Sequence, residues 1–298
     1  MKKHITSIAA AGLALCSTLT TAHAEGHYVP GVEGLQAASA PPPGLYYLGY
    51  LVNYDIHSFR APGGSGNLPG SNSGNVTALA NRLVWMTGAK VLGADYGVET
   101  IIPVIGTSLH LNAAGVNDSH TGLGDIYVGP VVLSWHGGNW DAVGAAGVWL
   151  DNARANTPAD PGKGFKSWML TGGGTYYFDA AKNWSGSALA RFERNTRSDA
   201  GFRYGNQLTV EWGLGKRYGV MQGGLVGYSQ WQLTNDSGPG AGDARSARHA
   251  IGAEFSYALP AQKMNLKAAL YQEVSAKAGS LGPQPRGTLL RLGLVKAF

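Results

Sequence analysis

The chain has 298 residues, and charged side chains make up only 14% of them. The formal net charge falls from +5 to about +3 once a predicted leader is removed, and no basic cluster remains, so we expect no nucleic-acid partner. The single cysteine, Cys16, lies in that leader, which excludes disulfides and thiolate metal sites from the rest of the chain. Beyond the leader no run of about 18 apolar residues occurs, which argues against transmembrane helices.

Residues 1–24 have the pattern of a Sec signal peptide. Lys2 and Lys3 form the basic start, residues 5–19 are mostly apolar, and an Ala-x-Ala site predicts cleavage after Ala24. Leu15 stands where a lipoprotein needs a small residue, so Cys16 is not predicted to carry a lipid. The pattern predicts export across the inner membrane.

Residues 25–43 carry little charge and end in three consecutive prolines, Pro41 to Pro43. Prolines cannot pair within a sheet and favour an extended polyproline form. The Ala, Leu and Val content of residues 32–40 would also suit burial. This segment is therefore predicted to be either a periplasmic tether or a plug inside the lumen of a barrel, and both alternatives remain open.

Short alternating segments follow, separated by turn residues. In residues 46–57 the tyrosines at 46, 50 and 54 share one face with aliphatic residues, while Asn53, Asp55 and His57 share the other. A face toward lipid and a face toward a polar lumen are typical of a transmembrane β-strand, which needs about 9–11 tilted residues. Eleven further strands are predicted over residues 76–89, 96–109, 123–135, 140–151, 166–178, 184–194, 204–215, 220–232, 249–258, 266–276 and 288–298.

The connections between these strands alternate in length. Long connections are predicted over residues 60–75, 110–122, 152–165, 195–203, 233–248 and 277–287. Short ones are predicted over residues 90–95, 136–139, 179–183, 216–219 and 259–265. Outer-membrane barrels have this asymmetry between extracellular loops and periplasmic turns. Residues 44–298 are thus predicted to form an all-β transmembrane antiparallel barrel of about twelve strands, with both termini periplasmic, in the outer membrane of a Gram-negative bacterium.

The last strand, residues 287–298, has one apolar face and ends in Phe298. Leu290, Leu292 and Leu294 share the face of this phenylalanine, whereas Lys296 departs from the pattern but can extend its ammonium toward the membrane surface. A terminal strand of this kind predicts recognition by the barrel-assembly machinery. We expect outer-membrane lipids and lipopolysaccharide as the other partners.

Two motifs carry a resemblance to a known family. They are AASAPPPG, before the first strand, and GLGDIYVGPVVLSWH, at residues 122–136. With the segments at 81–104 and 227–238, they resemble transporter-like outer-membrane proteins named after the meta-pathway of phenol degradation, over nearly the whole mature chain. The resemblance implies an outer-membrane barrel that moves small hydrophobic or aromatic compounds.

Polar and aromatic residues predicted to face the lumen are the candidate site residues. A lysine or arginine facing lipid at mid-depth would cost about 2–4 kcal/mol, which favours inward arginines. The candidates are Tyr47, Asn53, Asp55, Arg82, Glu99, Asp125, Tyr127, Arg191, Glu193, Glu211, Glu254, Tyr271, Glu273 and Arg291. Their mixed charges allow two interpretations, a lumen held shut by ion pairs or a polar path that passes a small aromatic molecule.

The sequence does not predict an enzyme. His57 and Ser58 are adjacent, so within a strand they would point to opposite faces, and no G-x-S-x-G motif occurs. Scattered histidines without ligand spacing predict no metal site, and no cofactor motif is present. Two function classes remain: an uptake channel for small hydrophobic or aromatic solutes, and a structural or adhesion barrel with a closed lumen.

Overall fold

The computed structural model describes residues 26–298. The predicted signal peptide and its cleavage after Ala24 lie outside the described residues. The strands are β1 Gly44–Arg60, β2 Asn72–Val91, β3 Ala94–Leu111, β4 Val116–Leu123, β5 Tyr127–His136, β6 Trp140–Trp149, β7 Ser167–Tyr177, β8 Trp184–Asn195, β9 Gln207–Tyr218, β10 Met221–Gln232, β11 Ala247–Leu259, β12 Met264–Lys277 and β13 Gln284–Ala297. Across residues 26–298, no helix has the length and apolar character needed to cross a membrane.

The sheet closes on itself into a barrel. β1 pairs with β13, β2 pairs with β3, and all neighbours are antiparallel. Both β4 and β5 pair with β3, and β5 alone continues the sheet to β6, so β4 and β5 are two halves of one barrel strand. The ring formed by residues 44–297 therefore has twelve strands, which confirms the predicted antiparallel barrel of about twelve strands. Closure leaves no unpaired strand edge in contact with lipid.

The two ends of the barrel differ. We call the end with Gly44 and Ala297 the terminus end and the opposite end the loop end. Residues 61–71, 150–166, 196–206 and 233–246 connect strands at the loop end, whereas turns such as 92–93 and 219–220 connect them at the terminus end. The predicted long loop over residues 110–122 is wrong, because β3 and β4 continue and only residues 112–115 form the turn. β4 has no apolar face, so it lacked the pattern used for prediction.

A break separates β4 from β5 at residues 124–126. Opposite lies Pro103, which has no N–H to donate to the ladder. Gly124 N donates to the carbonyl oxygen of Pro103 over 2.8 Å, and pairing resumes where Tyr127 faces Ile101. The interruption frees Asp125 from the regular alternation of the strand, and its side chain is buried.

The faces of β1 are the reverse of the prediction. Tyr50 and Tyr54 are buried inside the barrel. Tyr47, Asn53 and Asp55 lie on the outer face, where the side chain of Asp55 is 62% exposed. On that outer face Asn53 Nδ2 donates to Thr77 Oγ1 at 2.9 Å. The tyrosine face turns inward because the lumen is filled with protein against which these rings pack.

That filling is the segment at residues 26–43, which we call the N-terminal segment. It contacts β2, β8, β11 and β13, which surround it on different sides. Tyr28, Leu35 and Ala38 of this segment are buried. It therefore runs through the lumen before β1 begins at Gly44.

An aromatic ring of side chains marks the outer face near the terminus end. Trp85, Trp140, Trp184, Tyr218 and Phe298 are exposed there. Such girdles lie at the boundary between hydrocarbon and headgroups in membrane barrels. The outer face thus has the polarity expected of a lipid-facing wall.

Candidate functional site

A single carboxylate of the N-terminal segment joins opposite walls of the barrel. Glu33 Oε1 lies 2.9 Å from Arg82 Nη1 on β2 and 2.5 Å from Arg191 Nη2 on β8. Arg82 Nε also donates to Glu99 Oε2 on β3 over 2.7 Å. We call these four residues the Glu33 bridge. It spans the lumen and ties the segment to the wall at mid-height.

Electrostatics keep Glu33 ionised within the lumen. Burial raises the pKa of this carboxyl, but the charges of Arg82 and Arg191 outweigh burial and hold the pKa at about 2. Charge-assisted hydrogen bonds of this kind are about twice as strong as neutral ones. The bridge is therefore charged at neutral pH.

A second anchor lies beside the bridge on β13 and β11. Arg291 Nη1 donates to the carbonyl oxygens of Gly31 at 3.1 Å and Val32 at 2.6 Å. The same guanidinium pairs with Glu254, whose Oε2 accepts from Leu35 N at 3.2 Å. All these groups hold the backbone of the segment, so its position does not depend on its side chains alone.

Gly34 makes this close approach possible. Its φ is +72°, and a Cβ at this position would lie 1.5 Å from Glu254 Oε2. Glycine is the residue that adopts this conformation without strain and leaves room for the carboxylate. The second anchor therefore depends on a glycine at position 34.

The third anchor holds the start of the segment. The hydroxyl of Tyr28 donates to Glu211 and accepts from Arg191 Nη1 at 2.8 Å, while the Arg191 guanidinium lies 4.2 Å from the ring centroid. Glu193 Oε1 accepts from His27 N at 3.0 Å. Strand carboxylates thus satisfy the backbone donors that the segment would otherwise bury unpaired.

Asp125 connects the segment to the loop at residues 150–166. Its Oδ1 accepts from Asn152 N and Ala153 N, and its Oδ2 lies 3.2 Å from His27 Nε2. His27 Nδ1 lies 2.8 Å from Ser167 Oγ, which donates to Asn195 Oδ1 over 2.7 Å. Ser167 is fully buried, so this Ser-His-Asp group fixes the loop against the segment.

Two connected cavities lie between the segment and the wall at the loop end. Apolar side chains such as Val29, Val52 and Ile105 line both, and Trp149 and Met169 line the deeper one. A site of this apolar character suits a small apolar solute.

A third cavity opens toward the terminus end. Its lining is mixed, with Leu48 and Val132 on one side and Gln222 and Lys267 on another. The deeper loop-end cavity and this terminus-end cavity share the residues Glu33, Tyr50, Arg82, Glu99 and Arg191. The Glu33 bridge and Tyr50 therefore separate the two.

Most of the predicted site residues lie inside the barrel. Tyr47, Asn53 and Asp55 are outside, as described above. The inner ones are Arg82, Glu99, Asp125, Tyr127, Arg191, Glu193, Glu211, Glu254, Tyr271, Glu273 and Arg291. Glu273 is buried toward the loop end, where it accepts from Tyr54 and Tyr228 hydroxyls.

Sequence reasoning missed the residue that joins these groups. Glu33 is the only carboxylate in residues 26–43. The signal available in the sequence was one acidic residue in an otherwise uncharged segment that precedes a barrel with inward arginines. The sequence does not show that the segment enters the lumen, so it gave no reason to pair Glu33 with Arg82 or Arg191.

Solved structures show the same fold. An outer-membrane channel from Pseudomonas putida F1 superposes with a TM-score of 0.75 at 13% identity, over 91% of this chain and all of that one. The CymD monoaromatic hydrocarbon channel matches with a TM-score of 0.45 at 10% identity, over 91% of this chain and 94% of that one. The NalP translocator domain from Neisseria meningitidis matches with a TM-score of 0.49 at 9% identity, over 98% of each chain. The last two similarities are too low to carry an argument.

Sequence comparison identifies the family. Among curated protein sequences none matches this chain. A family model described as "Putative MetA-pathway of phenol degradation" matches residues 57–284. Because this match covers well over half of the chain, which has the fold of an outer-membrane channel, the protein belongs to that family.

Proposed function

We propose that this protein is an outer-membrane channel for the uptake of small hydrophobic or aromatic compounds. The observation that carries the proposal is the pair of cavities that meet at the Glu33 bridge, one mainly apolar and one mixed. A solute would enter at the loop end, occupy the apolar cavity, and leave through the terminus-end cavity. Family membership supports the same solute class.

Passage requires the N-terminal segment to move or the bridge to open. The segment occupies the centre of the lumen and is held by three anchors, so the resting channel is closed to a hydrated solute. An apolar solute in the loop-end cavity contacts Val29 and Val32 of the segment itself. Solute binding can therefore shift the segment if the displaced arrangement holds the solute more tightly.

In this proposal the terminus end faces the periplasm and the longer loops face the medium. The signal peptide is removed after Ala24, and the strand ending at Ala297 presents Phe298 to the assembly machinery. The exposed Phe298 side chain and the apolar outer face of β13 support that role. Lipids and lipopolysaccharide surround the barrel wall.

A growth experiment tests the uptake function. Cells lacking the protein should grow slowly on a low concentration of a poorly soluble aromatic carbon source and normally on succinate. Complementation with the intact gene should restore growth. Unchanged growth of the deletion strain on every aromatic substrate tested would contradict uptake.

The alternative is a structural barrel whose lumen stays closed. The observation that favours it is the set of ion pairs in the lumen, because paired buried charges also make a barrel rigid. The two functions differ in solute flux through purified protein in liposomes. A structural barrel gives no flux of any aromatic solute above that of protein-free liposomes.

A further inference from the structure

The terminus-end cavity contains polar side-chain atoms without partners. Gln222, on β10, is only 8% exposed, and its Nε2 has no hydrogen-bond acceptor among residues 26–298. Gln36 Nε2 of the N-terminal segment and Asn265 Oδ1 of β12 are likewise unpaired, and all three residues line this cavity. A buried polar atom without a partner costs free energy, so their grouping marks a place where a ligand can supply the missing bonds.

The charges of this cavity favour an anion. Its lining includes three cations, Arg82, Arg191 and Lys267, but only two carboxylates, Glu33 and Glu99. Both carboxylates belong to the Glu33 bridge and are occupied by the two arginines. Lys267 lies outside the bridge and shares the carboxylate of Glu254 with Arg291, so a further negative charge near Lys267 is attracted.

The ammonium of Lys267 can form an ion pair with a ligand in addition to its contact with Glu254. Its Nζ lies 3.6 Å from Glu254 Oε1, a longer contact than the one that Glu254 makes with Arg291. One carboxylate therefore stands between two cations. A ligand oxygen at Lys267 would complete this arrangement, with Gln222 as the uncharged donor.

The opposite side of the cavity is apolar. Val84 and Val132 are buried, and Leu48, Val143 and Leu189 complete this side. An aromatic ring can pack on these side chains while a charged substituent reaches the polar side. The cavity therefore fits a molecule with one apolar ring and one anionic group.

We propose that the terminus-end cavity binds the carboxylate of small aromatic acids, with Gln222 donating a hydrogen bond and Lys267 forming the ion pair. This inference rests on the proposed uptake function and narrows its solute class from aromatic compounds in general to aromatic acids. The apolar loop-end cavity accepts the ring first. The terminus-end cavity then selects for the acid group.

Flux measurements in liposomes test the uptake function and the carboxylate site separately. Benzoate and toluene serve as probes with the same ring, and the variants are Gln222→Leu and Lys267→Met. Gln272→Leu on the outer face is the matched control. Folding of each variant is checked by its heat-dependent migration on SDS gels.

The expected result is a loss of benzoate flux of about tenfold in Gln222→Leu, the effect of one hydrogen bond to a charged group. Lys267→Met should reduce benzoate flux at least as much. Toluene flux should stay within about twofold in both variants, and the control should transport both solutes normally. Equal loss of both solutes, or unchanged benzoate flux, would overturn the carboxylate site.

Failure of the uptake function gives a different outcome. If the unmodified protein passes neither solute, uptake is wrong, and benzoate binding to the detergent-solubilised protein then tests the site by itself. Isothermal titration calorimetry should show saturable binding that Gln222→Leu weakens about tenfold. No saturable binding to the unmodified protein would remove the site as well.

Discussion

Arg191 contacts the N-terminal segment at two points, through Glu33 and through the hydroxyl of Tyr28. Replacing Arg191 by Ala leaves the Glu33 carboxylate with one of its two arginines. Loss of one partner from a buried ion pair typically costs about 3–5 kcal/mol, so we expect weaker docking of the segment by a few kcal/mol. Planar-bilayer recordings should show a small conductance for the unmodified protein and a larger one for Arg191→Ala.

The matched control is Arg194→Ala, because Arg194 is three residues away on β8 and exposed. It should conduct like the unmodified protein. A large conductance before any substitution would instead indicate a general porin, and equal conductance of Arg191→Ala and Arg194→Ala would show that the bridge does not close the lumen.

The acid range tests the charge of Glu33 directly. Its pKa is lowered from 4.5 to about 2, so the folded state binds its proton less readily than the unfolded chain does. The stabilisation from this group is therefore full above pH 4.5 and is lost as the pH falls toward 2. We expect low conductance to persist from neutral pH to pH 4.5. If the unmodified channel already opens at a pH above 4.5, the lowered pKa of Glu33 is contradicted. The Glu33→Gln variant should be open over the whole pH range.

Closure of the lumen depends on the N-terminal segment. A substitution at Gly34 tests this without changing any charge of the segment. Gly34→Ala places a methyl group against the Glu254 carboxylate and imposes a positive φ on alanine. We expect the segment to leave its site, so that added protease cleaves residues 26–43 in the detergent-solubilised protein.

Gly66→Ala is the control for this substitution, because no atom of residues 26–298 lies within 4 Å of a Cβ there and Gly66 has an ordinary φ. It should resist cleavage like the unmodified protein. If Gly34→Ala is equally resistant and conducts no better, the glycine is not needed for docking.

At the scale of the whole molecule, the orientation of the barrel follows from its two unequal ends. Epitope tags inserted in residues 61–71 or 233–246 should be labelled on intact cells, and a tag in residues 178–183 only after the cells are opened. The reason is that long loops face the medium in barrels of this class. Labelling of the tag at 178–183 on intact cells would reverse the orientation and the proposed direction of uptake.

Much of the barrel was predictable because its determinants are local. Period-two alternation and turn residues located the strands, and the inward position of Arg82, Arg191 and Arg291 followed from the cost of charge in lipid. β4 was missed because a strand that extends beyond the apolar band needs no apolar face. The facing of β1 was reversed because its tyrosines suit lipid and a filled lumen equally well.

The sequence by itself determined a closed barrel of twelve strands and the charges that must face its interior, since each follows from the contrast between lipid and water along a single strand. Only the tertiary structure decided that residues 26–43 enter the lumen, that Glu33 joins Arg82 to Arg191, and that two cavities remain on either side. These contacts join residues 49 to 158 positions apart. They depend on how the closed barrel surrounds the segment, which no local pattern specifies.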